Sequence, residues 1–405
     1  MEKGNFKNAE LGRLVRFEFN TANRIVFGNG SFQQLGAIAA EMGSRAIVVT
    51  GRSGKRADPL VRQLDAQGIA CTRFGVPNEP TVSLLEKGLS KAREHAADLV
   101  IGFGGGSAMD AGKAIAALLP NTGDVIDYLE VIGKGRPLKR PPAACIAVPT
   151  TAGTGAEVTC NAVLKSTTHD VKVSLRSPLM FPRLALIDPE LTLSMPPAVT
   201  AGTGVDALAQ LLEAWVSKRA NPLTDGLCRE GIIRAARSLR KTYQQGDDLD
   251  ARLDMSLAAL FSGLALANAG LGAVHGIAGP LGGMCAAPHG AACGLLLPFV
   301  MEGNVRALQK RRPQSAAHAR YLRAARMLTG SQSADVPNAV QWLQDLCRDL
   351  NIPPLSHYDL APTRIPQLVA QAEKASSMQA NPIVLTTDEL HEIIEKAFHW
   401  RPIEE

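Results

Sequence analysis

Aromatic residues are scarce in this chain, at 4% of 405 residues. A nucleic-acid reader usually interleaves aromatics with a basic stripe, so that class is disfavoured. The net charge of +5 is mild, and the basic clusters Lys134–Arg140 and Lys310–Arg312 read as solvated loop patches. None of the seven cysteines (71, 145, 160, 228, 285, 293 and 347) stands in a Cys-x-x-Cys pair. They read as reduced, mostly buried thiols of a cytoplasmic protein rather than a disulfide framework. The opening run Met1–Asn8 has no apolar signal core. Asp, Glu, Lys and Arg are all absent between Met255 and Met301. That stretch is long enough to span a bilayer, but many glycines, three prolines and two histidines interrupt it. A buried helical core around a site fits it better than a membrane span.

What is present is a normal globular balance, 46% apolar and 20% charged, in a chain long enough for two domains. The first half alternates between β-rich runs and helical patterns. Strands are expected near 24–27, 45–50, 70–74, 98–103 and 143–148, and helices near 32–42, 59–67, 82–96 and 108–118. Ser31 is expected to cap the first of these helices. Such repetition predicts a parallel sheet covered on both faces. Near Asp188-Pro189 the pattern changes. Beyond it come long Ala/Leu-rich helical segments: 205–218, 225–240, 249–269, 290–306, 316–328, 336–349 and 387–399. The expected architecture is an α/β domain over 1–190, followed by an all-helical domain over 191–405.

Two polar loops follow expected strands. Gly104-Gly-Gly-Ser107 lies between a strand and a helix. Glycines there allow backbone N–H groups to approach phosphate oxygens, and the helix dipole favours their charge. The run lacks the full GxGxxG fingerprint, because Ser107 stands where the last glycine would be, and no GK[ST] follows. An ordinary tight turn is the competing reading. Pro149-Thr-Thr-Ala-Gly-Thr154-Gly155 also ends a strand, and its hydroxyls suit a ribose or phosphate. In the second half, Asp206 precedes Gln210 by four residues on a helical run, which aims both side chains at one point. His275 and His289 flank a Gly/Ala/Pro-rich stretch. Two imidazoles and a carboxylate form the ligand set of an open divalent-metal site.

Together these runs resemble the iron-containing (group III) alcohol dehydrogenase family. The resemblance is carried by Gly104–Lys113, Pro149–Glu157, Asp188-Pro189, Gly204–Leu208, Val274-His275 and Pro288-His289-Gly290, and it extends from Arg24 to Pro382. It implies a dehydroquinate-synthase-like fold, with a dinucleotide-binding parallel-sheet domain, an all-helical domain and the site between them. It implies hydride transfer between a small alcohol or aldehyde and NAD(P), with no nucleic acid or membrane partner and with a homodimer or higher homo-oligomer. By the same resemblance, Gly105, Gly106 and Ser107 hold the pyrophosphate, with Thr150, Thr151 and Thr154 against the nucleotide. Asp110 and Lys172 lie toward the nicotinamide ribose and the reacting centre. Asp206, His275 and His289 are metal ligands for Fe²⁺ or Zn²⁺, with His275 also in the catalytic set.

The chain departs from the family at several positions. The fourth ligand position, normally histidine, is Gln210, a neutral and weaker donor. The position of a proton-relay histidine is Gly279, and Phe299 stands where many relatives have histidine. After the second strand, Gly51 replaces the aspartate of NAD-preferring relatives. Arg52 and Ser53 can hold a 2′-phosphate, so NADP(H) is the expected cofactor. An apolar wall is expected around Phe103, Cys160, Leu164, Met284 and Phe299. Three other readings stay open at this point: a metal-independent reductase of the maleylacetate reductase type, a sugar-phosphate-acting relative, and a catalytically inactive nucleotide-binding protein.

Overall fold

The computed structural model describes residues 16–169 and 171–401. The run Met1–Asn8 lies outside the described residues. Strands are β1 (Ile25–Phe27), β2 (Arg45–Thr50), β3 (Ala70–Gly75), β4 (Leu99–Gly104), β5 (Ala144–Pro149), β6 (Asn161–Ser166), β7 (Val171–Arg176) and β8 (Leu184–Ile187). Six of them form one sheet in the order β1-β8-β5-β4-β2-β3, and every pairing is parallel. The central strands read as continuous apolar runs because both faces are covered: β4 is buried along its length, and so is β2 beyond Arg45. The covering helices are α1 (Leu35–Ala40), α2 (Asp58–Ala66), α3 (Val82–Glu94) and α4 (Gly106–Leu118).

Two features of this domain differ from the sequence reading. Ser31 does not cap a helix. Its hydroxyl donates to the Ile187 carbonyl at 3.3 Å, and the turn it opens is 3₁₀ over Ser31–Gln34 before α1 begins. Asp188 supplies the acceptors instead, taking the N–H groups of Gly30, Phe32 and Glu190 at 3.2, 2.9 and 3.0 Å. The antiparallel hairpin β6–β7 and the short strand β8 were not expected. The hairpin's signal is a period-two alternation rather than a continuous run: Val171-Lys-Val-Ser-Leu-Arg176 alternates apolar and polar residues, and Ala162, Leu164, Val173 and Leu175 form the buried face.

After Thr192 the described residues form helices only: α5 (Pro197–Val216), α6 (Pro222–Gln244), α7 (Leu249–Ala269), α8 (Ala273–Met284), α9 (His289–Arg311), α10 (Ala316–Thr329), α11 (Val336–Asp349), α12 (Ile365–Ala372) and α13 (Thr387–His399), with short 3₁₀ turns between. α5 is buried from Gly204 to Val216 and packs on α6, α7 and α9, as expected of a helix apolar on all sides. α9 is long and apolar enough to cross a membrane, yet 89% of its apolar window is buried inside this bundle. α8 was not read as a helix. Gly276, Gly279, Gly282, Gly283 and Pro280 remove its intrinsic propensity, and tertiary burial supplies what propensity does not.

Inside the α/β domain, Glu157 is 2% exposed. Burial pushes its carboxyl up to about 7, against the opposing pull of its own backbone N–H and the Lys113 charge. The folded state therefore holds a proton that the unfolded chain has released, and stability falls as pH rises from the ordinary value of 4.5 through about 7. Glu157→Gln removes this dependence. Its melting temperature relative to the parent is expected to climb between about pH 5 and about pH 8, an effect on the order of 1–3 kcal/mol checked by calorimetry at both ends.

Candidate active site

Parallel strands place their carboxyl ends together, and three polar loops leave the sheet at that edge. They are Gly51–Ser53 after β2, Gly105–Ser107 after β4 and Thr150–Gly155 after β5. This is the edge where open α/β sheets take their ligands. The loops interlock. Thr150 donates its N–H to the Gly104 carbonyl at 2.9 Å, and a Cβ added at Gly106 would meet the Thr154 methyl at 3.0 Å. The first turn of α4 has no side-chain cap, and the N–H groups of Gly106 and Ser107 are the ones available to phosphate oxygens, since Ala108 already donates to the Gly105 carbonyl. Arg52 and Ser53 are exposed, Arg52 donates to the Asn78 side-chain carbonyl at 3.1 Å, and a Cβ at Gly51 would meet nothing within 4 Å.

Asp110 and Lys172 serve the hairpin. One oxygen of Asp110 accepts the Val163 N–H on β6 at 3.0 Å, and the other pairs with Lys113 at 3.0 Å. That ties α4 to the hairpin whose second strand carries Lys172. Lys172 pairs with Glu79 and lies against α8, where a Cβ at Gly282 would sit 2.7 Å from its ammonium. Both oxygens of Asp110 are thus engaged within the fold, whereas Lys172 stands where the two domains meet.

The second cluster is built on α5. Asp206, Gln210 and Glu213 stand at i, i+4 and i+7, which puts all three on one face. Glu213 takes the Val274 N–H at 2.6 Å through one oxygen and His275 Nδ1 at 2.6 Å through the other. It thereby caps α8 and fixes the imidazole. A carboxylate only accepts, so Nδ1 donates its proton to Glu213, while Nε2 faces Asp206 and is the nitrogen left to give a lone pair to a metal. His275 Nε2 lies 3.3 Å from Asp206 Oδ1, and His289 Nε2 lies 3.7 Å from the same oxygen. Cys293, one turn into α9, brings its Sγ to 3.8 Å from His275 Nε2 and 3.7 Å from His289 Nε2. The four donor atoms all lie within 4.8 Å of one another. Asp206, His275 and Cys293 are buried, and His289 opens the cluster outward with 37% of its side chain exposed.

Electrostatics hold this set together. Burial works against charge on Asp206, but His289 and His275 outweigh it and lower the carboxyl. Burial also opposes charge on His275, yet the neighbouring Cys293 and Glu213 and the Asp206 hydrogen bond raise it well above the ordinary imidazole value. His289 is raised chiefly by Cys293, against burial, with Asp206 assisting. A pocket that draws positive charge this strongly, from two imidazoles, a carboxylate and a thiol, has the donor chemistry of a divalent transition-metal site.

Asp206, His275 and His289 therefore converge as their residue types suggested. Gln210 sits beside them with its amide nitrogen donating to Asp206 Oδ2 at 3.2 Å. Glu213 and Cys293 were missed. The signals were present as Asp206–Gln210–Glu213 at i, i+4, i+7 and His289–Cys293 at i, i+4. The expected apolar wall is not formed as a unit. Phe103 packs on Phe32 with ring centroids 5.7 Å apart, and Leu164 and Phe299 belong to the domain cores.

A nucleotide-type α/β edge facing a helical domain with a buried cluster that could hold a metal ion defines a two-domain architecture suited to a cofactor-dependent enzyme. Residues 22–189 match the family described as iron-containing alcohol dehydrogenase, and residues 200–398 match the Fe-containing alcohol dehydrogenase family, C-terminal. The chain belongs to this family and is an alcohol oxidoreductase that uses a nicotinamide cofactor. Among its relatives is a choline dehydrogenase of Bacillus subtilis (strain 168), 33% identical over 403 residues, with 98% of this chain and 96% of the relative covered. A long-chain-alcohol dehydrogenase 1 of Geobacillus thermodenitrificans (strain NG80-2) is 38% identical over 328 residues, covering 79% and 80%. The crystal structure of a 1,3-propanediol oxidoreductase superposes with a TM-score of 0.87 at 31% identity, covering 95% of this chain and all of that one.

The contact between Gly106 and Thr154 is testable. Gly106→Val forces the two loops apart, and dinucleotide binding is expected to weaken about tenfold or more, near 1.4 kcal/mol, in a fluorescence titration.

Proposed function

We propose that this protein oxidises small alcohols, or reduces the matching aldehydes, with NADP(H) and a divalent metal held by Asp206, His275 and His289. The observation that carries this reading is the buried convergence of those three side chains, with Glu213 orienting His275 from behind. A metal held there supplies Lewis acidity to the substrate oxygen, and the nicotinamide carries the hydride. The rest is work done by the chain's own residues. Gly105, Gly106, Ser107 and the open first turn of α4 anchor the pyrophosphate. Thr150, Thr151 and Thr154 hold the nucleotide above the helical domain. Lys172 presents its ammonium at the domain junction, where the substrate and the nicotinamide ribose would meet. Asp110 positions it through the hairpin.

The NADP(H) reading rests on Gly51, which leaves open space where a carboxylate would exclude a 2′-phosphate, and on the exposed Arg52 and Ser53 beside it. A cytoplasmic location is supported by seven free cysteines.

Elemental analysis of protein purified without chelator, paired with an alcohol-plus-NADP assay, tests the core of this reading. Stoichiometric metal with activity that tracks it is expected, and His275→Ala and Lys172→Ala are each expected to abolish turnover. Activity that persists without metal moves the protein to the metal-independent reductases. Arg52→Ala is expected to raise KM for NADP(H) about tenfold while leaving NAD(H) kinetics unchanged; a clear NAD(H) preference in the parent enzyme defeats that assignment.

A further inference from the structure

We infer that Cys293 is the fourth ligand of the metal centre, that Gln210 supports Asp206 rather than binding metal, and that the resulting one-thiolate site selects zinc over iron. This rests on reading the Asp206, His275 and His289 cluster as a metal site.

Gln210 occupies the position from which a fourth ligand would be expected, but its contacts are already assigned. Its amide nitrogen donates to Asp206 Oδ2 at 3.2 Å, and its oxygen accepts from the Ser262 hydroxyl at 2.8 Å. The opposite orientation would set the amide oxygen against a carboxylate that only accepts. Gln210 therefore holds the second oxygen of Asp206 and leaves Oδ1 facing the two imidazoles.

Cys293 takes the place left over. It lies four residues after His289, one turn into α9, which stacks the two side chains on one helix face. It is fully buried, whereas 37% of the His289 side chain is exposed. Its contacts to both imidazoles are 3.8 and 3.7 Å, and the imidazole contacts to Asp206 Oδ1 are 3.3 and 3.7 Å. A tetrahedron built on ordinary zinc bonds of about 2.0–2.3 Å has edges of about 3.3–3.8 Å. Metal uptake would release the thiol proton to solvent, leaving a thiolate. Thiolate is a soft donor and suits zinc better than a set of nitrogen and oxygen donors alone.

Cobalt(II) loading of the full-length wild-type protein tests the ligand assignment without reference to activity. A near-ultraviolet sulfur-to-cobalt charge-transfer band is expected, together with one sulfur scatterer at about 2.3 Å by X-ray absorption of the zinc form. Cys293→Ser is expected to lose both signals and to bind zinc about 100-fold more weakly, and Cys293→His to regain affinity without the band. Gln210→Ala is expected to keep the band. In an anaerobic competition between equimolar Zn²⁺ and Fe²⁺, zinc is expected to occupy the site. Stoichiometric cobalt without a sulfur signal overturns the role of Cys293 and leaves the cluster reading intact. Failure of the wild-type protein to bind any divalent metal overturns both. Loss of the band in Gln210→Ala overturns its supporting role, and preferential retention of iron overturns the selectivity. The wild-type spectra decide the ligand question even if a variant does not fold.

Discussion

The two halves of the site depend on a backbone contact that only glycine permits. Gly155 ends the Thr150–Gly155 loop in the left-handed region, at φ 61°, and a Cβ there would fall 2.3 Å from Gly263 Cα on α7. Gly263 is equally constrained, since a Cβ on it would lie 2.4 Å from the Gly155 carbonyl oxygen. The loop at the end of β5 is thus pressed directly onto the helical domain. The residue before Gly263 is Ser262, whose hydroxyl reaches Gln210 at 2.8 Å and lies 3.3 Å from the Gly153 carbonyl. A short polar path therefore runs from the dinucleotide edge to Asp206. Hydride transfer needs reacting atoms held to within a few tenths of an ångström, and a contact without side chains is the stiffest way to fix that separation.

The Asp206, His275, His289 and Cys293 cluster is organised from behind in the same manner. Glu213 does two jobs with one carboxylate, satisfying an orphan N–H at the start of α8 and selecting the tautomer of His275. Asn381 supports the same helix start by accepting from Ala273 at 3.1 Å, and it is locked by a reciprocal pair of hydrogen bonds with Asn304. α8 has five residues that disfavour helix, so these contacts hold in place an element that the local sequence does not favour. A glycine-rich segment beside the cluster leaves room, and a Cβ at Gly279 would meet nothing within 4 Å.

Much of the fold was legible because its signals are local. β2, β4 and β5 are continuous apolar runs, and α6, α11 and α13 open with capping boxes at Asn221, Asp335 and Thr386. The helix α8 was not legible, because burial rather than propensity maintains it, whereas the alternation of β7 and the apolar run Leu184–Ile187 of β8 were signals present in the sequence and passed over. At the site, Asp206, His275 and His289 could be named from residue type and motif. Glu213 and Cys293 could not be separated from other buried acids and thiols until α5, α8 and α9 were brought together.

By itself the sequence determined the alternation that builds a parallel sheet, the glycine and threonine loops that end its strands, and the family to which the chain belongs. These follow from period, turn chemistry and motif order, each written within a few residues. Only the tertiary structure decided which donors face one another. Asp206 and Cys293 are far apart in the chain, and nothing local records that their helices pack. It also brought the Ser262 hydroxyl to 2.8 Å from the Gln210 side-chain oxygen, a neighbour reached only through the packing of α7 on α5.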